Sequence, residues 1–268
     1  MLEPAENKKI VKTPIFSYRD GRFTEIEDFV VREVPVTVHL NGKEFVTLVC
    51  SPVELKELAV GFLYSEGVLR QQESLKSIEI NEEEGLIWVE TAGEPAPRET
   101  LLKRFVTSTS TSGRVRASFY SAKNTGEIPR IDSSLRVTTQ EILHLAGQLE
   151  QLSGVFKITG GTHSAALCTH DSVVYFYEDI GRHNAVDKMF GRCFLDGVTF
   201  DDKFLVFSGR ISSEILIKVA KMGMPMIVSR SAPTELAISM AEHLNITVVG
   251  FVREGRLSVY AHRERIAD

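Results

Sequence analysis

The sequence predicts a mixed α/β fold (α+β overall), with a smaller β-rich N-terminal domain ahead of a C-terminal three-layer α/β/α domain. Three observations predict it. Between Phe204 and Val249, short apolar runs alternate with amphipathic stretches as strand–helix–strand–helix–strand, the order that gives parallel strands with right-handed crossovers. The first third of the chain instead carries strand-like runs around Asn41-Gly42, a strong two-residue hairpin signal. With 268 residues, of which 43% are hydrophobic and 25% charged, the chain can bury a full core.

In chain order, Val34–His39 and Lys43–Val49 read as the two hairpin strands. Ser51 is the expected N-cap of a first helix, with Pro52 at its first position and Glu54 closing a capping box. Leu55, Leu58, Ala59, Phe62 and Leu63 then recur at helical spacing, and Gly67 stops the helix. Strands follow at Ser77–Ile80 and Leu86–Thr91, joined by an acidic turn, before a Gly/Pro breaker from Ala92 to Pro97. Residues 107–116 (T-S-T-S-T-S-G-R-V-R) form a hydroxyl tract without a helical stripe. The domains are expected to divide as 1–135 and 136–268. A second capping box, Thr138 with Glu141, opens a helix to about Gln151. Strands are expected at Val155–Cys168 and Val173–Tyr177, after which Glu178–Lys188 leads into a helix through about Phe194. Strands at Phe204–Phe207, Met226–Val228 and Ile246–Val249, with helices at Ser213–Lys221 and Pro233–Leu244, complete the series.

Composition excludes several functions. A formal charge of -5 supplies no global basic field, so nucleic-acid binding is not expected and anion binding must be local. No apolar run reaches the length of a membrane span and the N-terminus lacks a signal h-region, so a cytoplasmic protein is expected. Cys50, Cys168 and Cys193 show no C-x-x-C spacing, which argues against disulfides and structural zinc. Each reads as a small packed apolar residue.

The polar residues gather in the strand-to-helix loops, which emerge at the carboxyl edge of such a sheet. These are E-D-I-G-R-H-N (Glu178–Asn184), S-G-R-I-S-S-E (Ser208–Glu214) and S-R-S-A-P-T-E (Ser229–Glu235). Each places an arginine (Arg182, Arg210, Arg230) beside small residues (Gly181, Ser208, Gly209, Ser229) just before a helix. Free N–H groups, the helix dipole and a guanidinium together suit a phosphate-bearing ligand. Thr159, Gly160 and Gly161 of T-G-G-T-H-S are placed to add an anion nest. Gly250–Arg256 (G-F-V-R-E-G-R) reads either as a plain hairpin turn or as a nucleobase and phosphate seat, with Phe251, Arg253 and Arg256. His163 and His183 are the acid–base candidates, with a structural role as the other reading. Cations near His183 favour a neutral donor. Asp179 and Asp187 are placed either to orient arginine side chains or to serve as helix N-terminal charges. No metal ligands are read from the sequence.

Together, E-V-P-V (Glu33–Val36), E-L-A-V-G-F-L-Y-S-E-G (Glu57–Gly67), T-G-G-T-H-S-A-A, E-D-I-G-R-H-N-A-V-D-K (Glu178–Lys188), S-G-R, S-A-P-T and V-G-F-V-R-E-G-R run collinearly through most of the chain. In these segments the sequence resembles the FdhD/NarQ family of formate dehydrogenase accessory proteins. The resemblance implies a cytoplasmic, homodimeric protein with a C-terminal domain of cytidine-deaminase-like fold. It implies that sulfur arrives from a cysteine desulfurase, is carried as a cysteine persulfide, and passes to the molybdenum (or tungsten) bis-molybdopterin guanine dinucleotide cofactor before insertion into formate dehydrogenase. It places the cofactor against Phe251, Val252, Arg253, Glu254, Gly255 and Arg256, with GDP as a mimic. The loop residues Asp179, Gly181, Arg182, His183 and Asn184 join that site, as do Thr159–Gly161, His163, Ser208–Arg210, Ser229 and Arg230.

The chain departs from the family at its sulfur-carrying C-x-x-C, which falls in the hydroxyl tract. One alignment puts Thr111 and Arg114 at the two cysteine positions, another Ser112 and Val115. A hydroxyl cannot carry persulfide sulfur, because that chemistry needs an ionisable thiolate. Cys168, near T-G-G-T-H-S, is the surrogate to test. A cofactor-binding and delivery protein without sulfur transfer is the alternative. A zinc deaminase, suggested by the implied fold, would need a P-C-x-x-C that the chain lacks, so no zinc is expected.

Overall fold

A computed structural model of the protein describes residues 7–92 and 129–268. Residues 107–116, with both alternative placements of the family's two cysteine positions (Thr111 and Arg114, or Ser112 and Val115), lie outside them.

The chain opens with β1 (Ile10–Arg19) and β2 (Arg22–Val31), a two-stranded antiparallel ribbon turned by Asp20 and Gly21 at positive φ. Next come β3 (Val34–Leu40), β4 (Lys43–Cys50), α1 (Leu55–Glu66), β5 (Leu75–Asn81) and β6 (Leu86–Thr91). Asn41 (φ 49°) and Gly42 (φ 75°) join β3 to β4, and two left-handed residues are what the predicted tight turn requires. These four strands form a sheet in the order β4-β3-β6-β5. Leu58, Ala59 and Leu63 of α1 cover Val36, Val38, Ile87 and Val89 of its inner face.

Helix α1 ends as expected, with Gly67 at φ 81°, but it starts later than its sequence suggests. Ser51 and Pro52 precede the helix, and Glu54 is its N-cap at φ 51° with no side-chain cap. The reason is tertiary. The Ser51 N–H donates to Asp179 Oδ2 (3.1 Å), and Ser51 Oγ accepts from the Ile180 N–H (3.3 Å). Glu54 faces two lysines, Lys9 and Lys188.

After residue 129 the order is β7 (Val137–Thr138), α2 (Thr139–Leu152), α3 (Gly154–Thr159), β8 (His163–Cys168), β9 (Val173–Asp179), α4 (Arg182–Asp196), β10 (Phe204–Phe207), α5 (Ser213–Lys221), β11 (Met226–Ser229), α6 (Glu235–Leu244), β12 (Thr247–Arg253), β13 (Arg256–Ala261) and β14 (Ile266–Ala267). The Thr138–Glu141 capping box forms as predicted. The expected strand from Val155 splits: Gly154–Thr159 is helical and only His163–Cys168 is extended. Glu178 causes the difference. Its carboxylate accepts from the Val155 and Phe156 N–H groups (3.2 and 3.0 Å), satisfying the free amides of a helix start from across the sheet.

The large sheet runs β13-β12-β11-β10-β8-β9. Strands β10, β11 and β12 are parallel, as their spacing predicts, while β8 and β13 run antiparallel to their neighbours. Alternation along β10 divides two cores. Leu205 and Phe207 meet α4, α5 and α6, whereas Phe204 and Val206 meet Ile142, Leu145 and Leu149 of α2. This is the three-layer arrangement. The small and large sheets are linked by α1 crossing α4 at Gly61 and Gly191. Among the described residues no helix is long and apolar enough to cross a membrane.

Candidate functional site

Because β8 opposes both β9 and β10, strands β9 to β12 all point one way. Their carboxyl ends, with the start of β8, make one edge. Along it lie the β12–β13 turn, Arg230 after β11, Ser208–Arg210 after β10, His163 at the start of β8, and the start of α4.

Much of the polar Glu178–Lys188 block is scaffold. Lys188 is fully buried, with Nζ 2.8 Å from Asp179 Oδ2 and 3.3 Å from Glu54 Oε2. Asp179 also accepts from the Gly181 N–H and from Asn184 Nδ2, both at 2.9 Å. Asn184 Nδ2 donates as well to Val49 O (2.8 Å), tying α4 to β4. Asp187 takes Lys218 Nζ at 2.6 Å and the Ser65 hydroxyl at 2.9 Å. Buried charges persist where they are paired and hydrogen-bonded in this way. Both aspartates therefore hold lysines, where the readings were arginine orientation or a helix N-terminal charge, and Asp179 and Asn184 Nδ2 are engaged within the fold.

Arg182 and His183 differ. Arg182 Nε and His183 Nε2 are buried and lack a hydrogen-bond partner among the described residues. Glu214 Oε2 lies 3.2 Å from His183 Nε2 without hydrogen-bond alignment. Side-chain contact with the imidazole first, then electrostatic attraction that Arg182 shares, holds the Glu214 carboxyl below its usual range, against burial. His163 faces the same spot, with Nδ1 3.4 Å from Ser208 Oγ. Burial, then the charges on Arg182 and His183, lower its pKa, so His163 is neutral at pH 7. Gly209 permits the crowding, since a Cβ there would meet the Phe207 ring at 2.8 Å and Arg182 Cβ at 3.4 Å.

Other predicted positions have local duties. Thr159, Gly160 and Gly161 do not offer the expected anion nest. The Gly160 N–H donates to Phe156 O, the Gly161 N–H to Thr159 Oγ1, and Gly160 at φ 67° caps α3. Ser229 is buried and donates to Gly209 O at 2.7 Å. Arg210 is exposed. Arg230 Nη1 pairs with Glu150 Oε2 at 2.9 Å, a residue that sequence reasoning missed. Glu54, Lys188 and Glu214 were missed too. Lys188 stood in the conspicuous block, but the partners of all three lie on remote elements.

The β12–β13 segment is both a hairpin turn and a cavity wall. Glu254 (φ 53°) and Gly255 (φ 71°) make the turn, and Phe251 is left-handed as well at φ 54°. On one side Phe251, Arg253, Arg256 and Ser258 line a cavity of about 300 Å³. On the other, a cavity of about 290 Å³ lies against α2, lined by Glu150, Arg230 and Arg253 among others. The Arg253 guanidinium sits 5.9 Å above the Phe251 ring. Val252 is 1% exposed, with its side chain in the α2-side core.

The thiols are placed otherwise. Cys50, Cys168 and Cys193 are all free and buried, and burial pushes each up to about 12. None is a thiolate at neutral pH, so Cys168 is a packed core residue. Among the described residues no three His, Cys, Asp or Glu side chains gather as a metal-ligand set.

The profile of the FdhD/NarQ family matches residues 31–267. "Sulfur carrier protein FdhD" of Bacillus subtilis (strain 168) is 45% identical over 255 residues, covering 95% of this chain and 96% of that protein. The protein of the same name from Bacillus pumilus is 43% identical over the whole of both chains. The crystal structure of a candidate formate dehydrogenase accessory protein from Desulfotalea psychrophila superposes with a TM-score of 0.77 at 24% identity, covering 96% of this chain and 99% of that one, a likeness of fold. By profile and by relatives matched along nearly its full length, the chain belongs to the FdhD/NarQ family.

Proposed function

We propose that this protein binds the molybdenum or tungsten bis-molybdopterin guanine dinucleotide cofactor along the carboxyl edge of its large sheet, holding it for sulfuration before insertion into formate dehydrogenase. One observation carries the reading. Two arginine-lined cavities flank the β12–β13 turn, and the same edge continues to His183 and to Arg182, whose Nε has no hydrogen-bond partner among the described residues. Guanidinium groups bind phosphate bidentately, and the buried Arg182 Nε–H, without an acceptor among the described residues, suits an anionic ligand. The cofactor is cargo, received beside a cysteine desulfurase and released to formate dehydrogenase.

A second reading has its own support. All three thiols are buried and raised to about 12. This favours a protein that binds and delivers the cofactor while sulfur travels on a partner's thiol. Titration calorimetry with GDP tests the binding. The wild type should bind, and Arg253→Ala/Arg256→Ala should lose about tenfold or more in affinity. No heat from the wild type would overturn the proposal. Complementation of a strain lacking its FdhD-type gene separates the readings, since restored formate dehydrogenase activity requires no cysteine pair on this chain.

A further inference from the structure

We infer that the buried guanidinium of Arg265, at the amino edge of the large sheet, is the floor of a phosphate-type oxyanion site that Arg136 and Arg130 complete. The site is separate from the cofactor edge. Thr247 opens β12 and Arg253 closes it, and a strand of 7 residues sets its two ends about 20 Å apart.

The fold leaves this cation short of partners. Arg265 is 3% exposed. Its Nη1 donates to Thr247 Oγ1 at 3.2 Å, and that hydroxyl gives its own proton to His262 O at 2.8 Å. Nε, on the guanidinium edge it shares with Nη2, is buried with no hydrogen-bond partner among the described residues. Among those residues no carboxylate pairs with Arg265, since Glu264 faces His262 at 2.9 Å and Asp268 faces Arg263. Burial lowers the Arg265 pKa; Glu264 and Asp132 oppose that shift, and Arg136 and Arg130 add to it. A buried cation in this condition is costly, and an anion on its Nε edge relieves the cost.

Topology supplies the other cations. Strand β14 pairs parallel with β7, with Ile266 beside Val137, and both side chains enter the α2-side core. Arg265 and Arg136 each stand one residue before that pair, so the two lie side by side and, by strand alternation, away from that core. Arg136 is exposed, with Nη1 donating to Leu135 O at 2.8 Å, and Arg130 and Asp132 are exposed in the stretch before it. Nε and Nη2 together form the edge on which a guanidinium takes two oxygens of one anion. With Glu264 committed to His262, the three guanidiniums are set against Asp132 alone. That excess of positive charge suits a dianionic phosphate or sulfate better than a single carboxylate. Bound there, the anion fastens the two-residue β14 to β7, and with it the C-terminal segment to the entrance of α2.

The test is calorimetric titration of the full chain with inorganic phosphate, sulfate and acetate at fixed ionic strength, with thermal melts to follow folding. Arg253→Ala/Arg256→Ala serves as the parent, because it removes anion uptake at the cofactor edge. That parent should bind phosphate and sulfate, and acetate about tenfold or more weakly. Adding Arg265→Met should abolish the binding. Adding Arg136→Gln, at an exposed position, should weaken it about tenfold, the scale of a hydrogen bond to a charged group. Without phosphate, Arg265→Met should melt no lower than the parent, because it removes an unpaired buried charge. The inference falls if the parent takes up no phosphate, if Arg265→Met or Arg136→Gln leaves its affinity unchanged, or if acetate binds as well as phosphate. An Arg265→Met protein that melts well below the parent would show that the fold already satisfies the guanidinium, and that too overturns the inference.

Discussion

Replacing Gly191 by alanine should destabilise the protein even though alanine is the better helix former. Where α4 crosses α1, a Cβ on Gly191 would sit 1.9 Å from Glu57 O and 2.8 Å from Gly61 N. The reciprocal position is tighter, with a Cβ on Gly61 lying 1.7 Å from Asp187 O. Favourable carbon contacts begin near ~3.5 Å, so the helices must part by roughly 1.5 Å, and the obstructing atoms are backbone that cannot swing aside. Overpacking of a core costs about 1–3 kcal/mol, and this geometry belongs at about 3. Alanine returns about 1 kcal/mol of helix propensity, leaving a net loss of about 2 kcal/mol. For a chain of this size that lowers Tm by roughly 4–8 °C in a thermal melt followed by circular dichroism. Gly147→Ala on α2 is the control, since its Cβ meets nothing within 4 Å. It should gain about 1 kcal/mol from propensity alone. A Gly191→Ala protein melting at or above wild type would refute the reasoning.

Two other outcomes follow from the buried charges. Lys188→Met leaves Asp179 buried without its cation and should cost about 3 kcal/mol or more in urea unfolding, whereas Asp179→Asn/Lys188→Met should recover part of that loss. Strictly additive single effects would contradict the pairing. His163 governs a pH dependence. Its folded pKa lies below the ordinary 6.5, so as pH falls through 6.5 the unfolded chain takes up a proton that the folded imidazole resists. Stability is therefore full above that value and declines as pH drops from it towards the depressed folded value. His163→Asn should flatten this part of a melting-temperature profile, and an unchanged slope would remove His163 as the cause.

Local chemistry made much of the fold legible. The left-handed pair Asn41-Gly42, the Gly67 stop, the Thr138–Glu141 capping box and the alternation from Phe204 to Val249 each act within a few residues, so sequence order reports them directly. The β1–β2 ribbon carried such a signal in Asp20-Gly21, though its side chains face solvent too often to show a clean apolar period. Long-range contacts overturned local preference elsewhere. Ser51 and Glu54 have the spacing of a capping box, yet Asp179 and the lysines engage them instead. The strand predicted from Val155 became α3 because Glu178 caps its start.

The candidate site divides in the same way. By itself the sequence determined the family, the carboxyl edge and the arginines that gather there, because topology brings successive strand ends to one side of a sheet. Only the tertiary structure decided which polar residues of Glu178–Lys188 are scaffold and which remain unpartnered, and that Glu150 stands across a cavity from Gly255. The packed role read for the three cysteines from sequence agrees with their burial, which raises each thiol. These outcomes depend on burial and on partners far away in the chain, and a charge declares its role only when its neighbours in space are known.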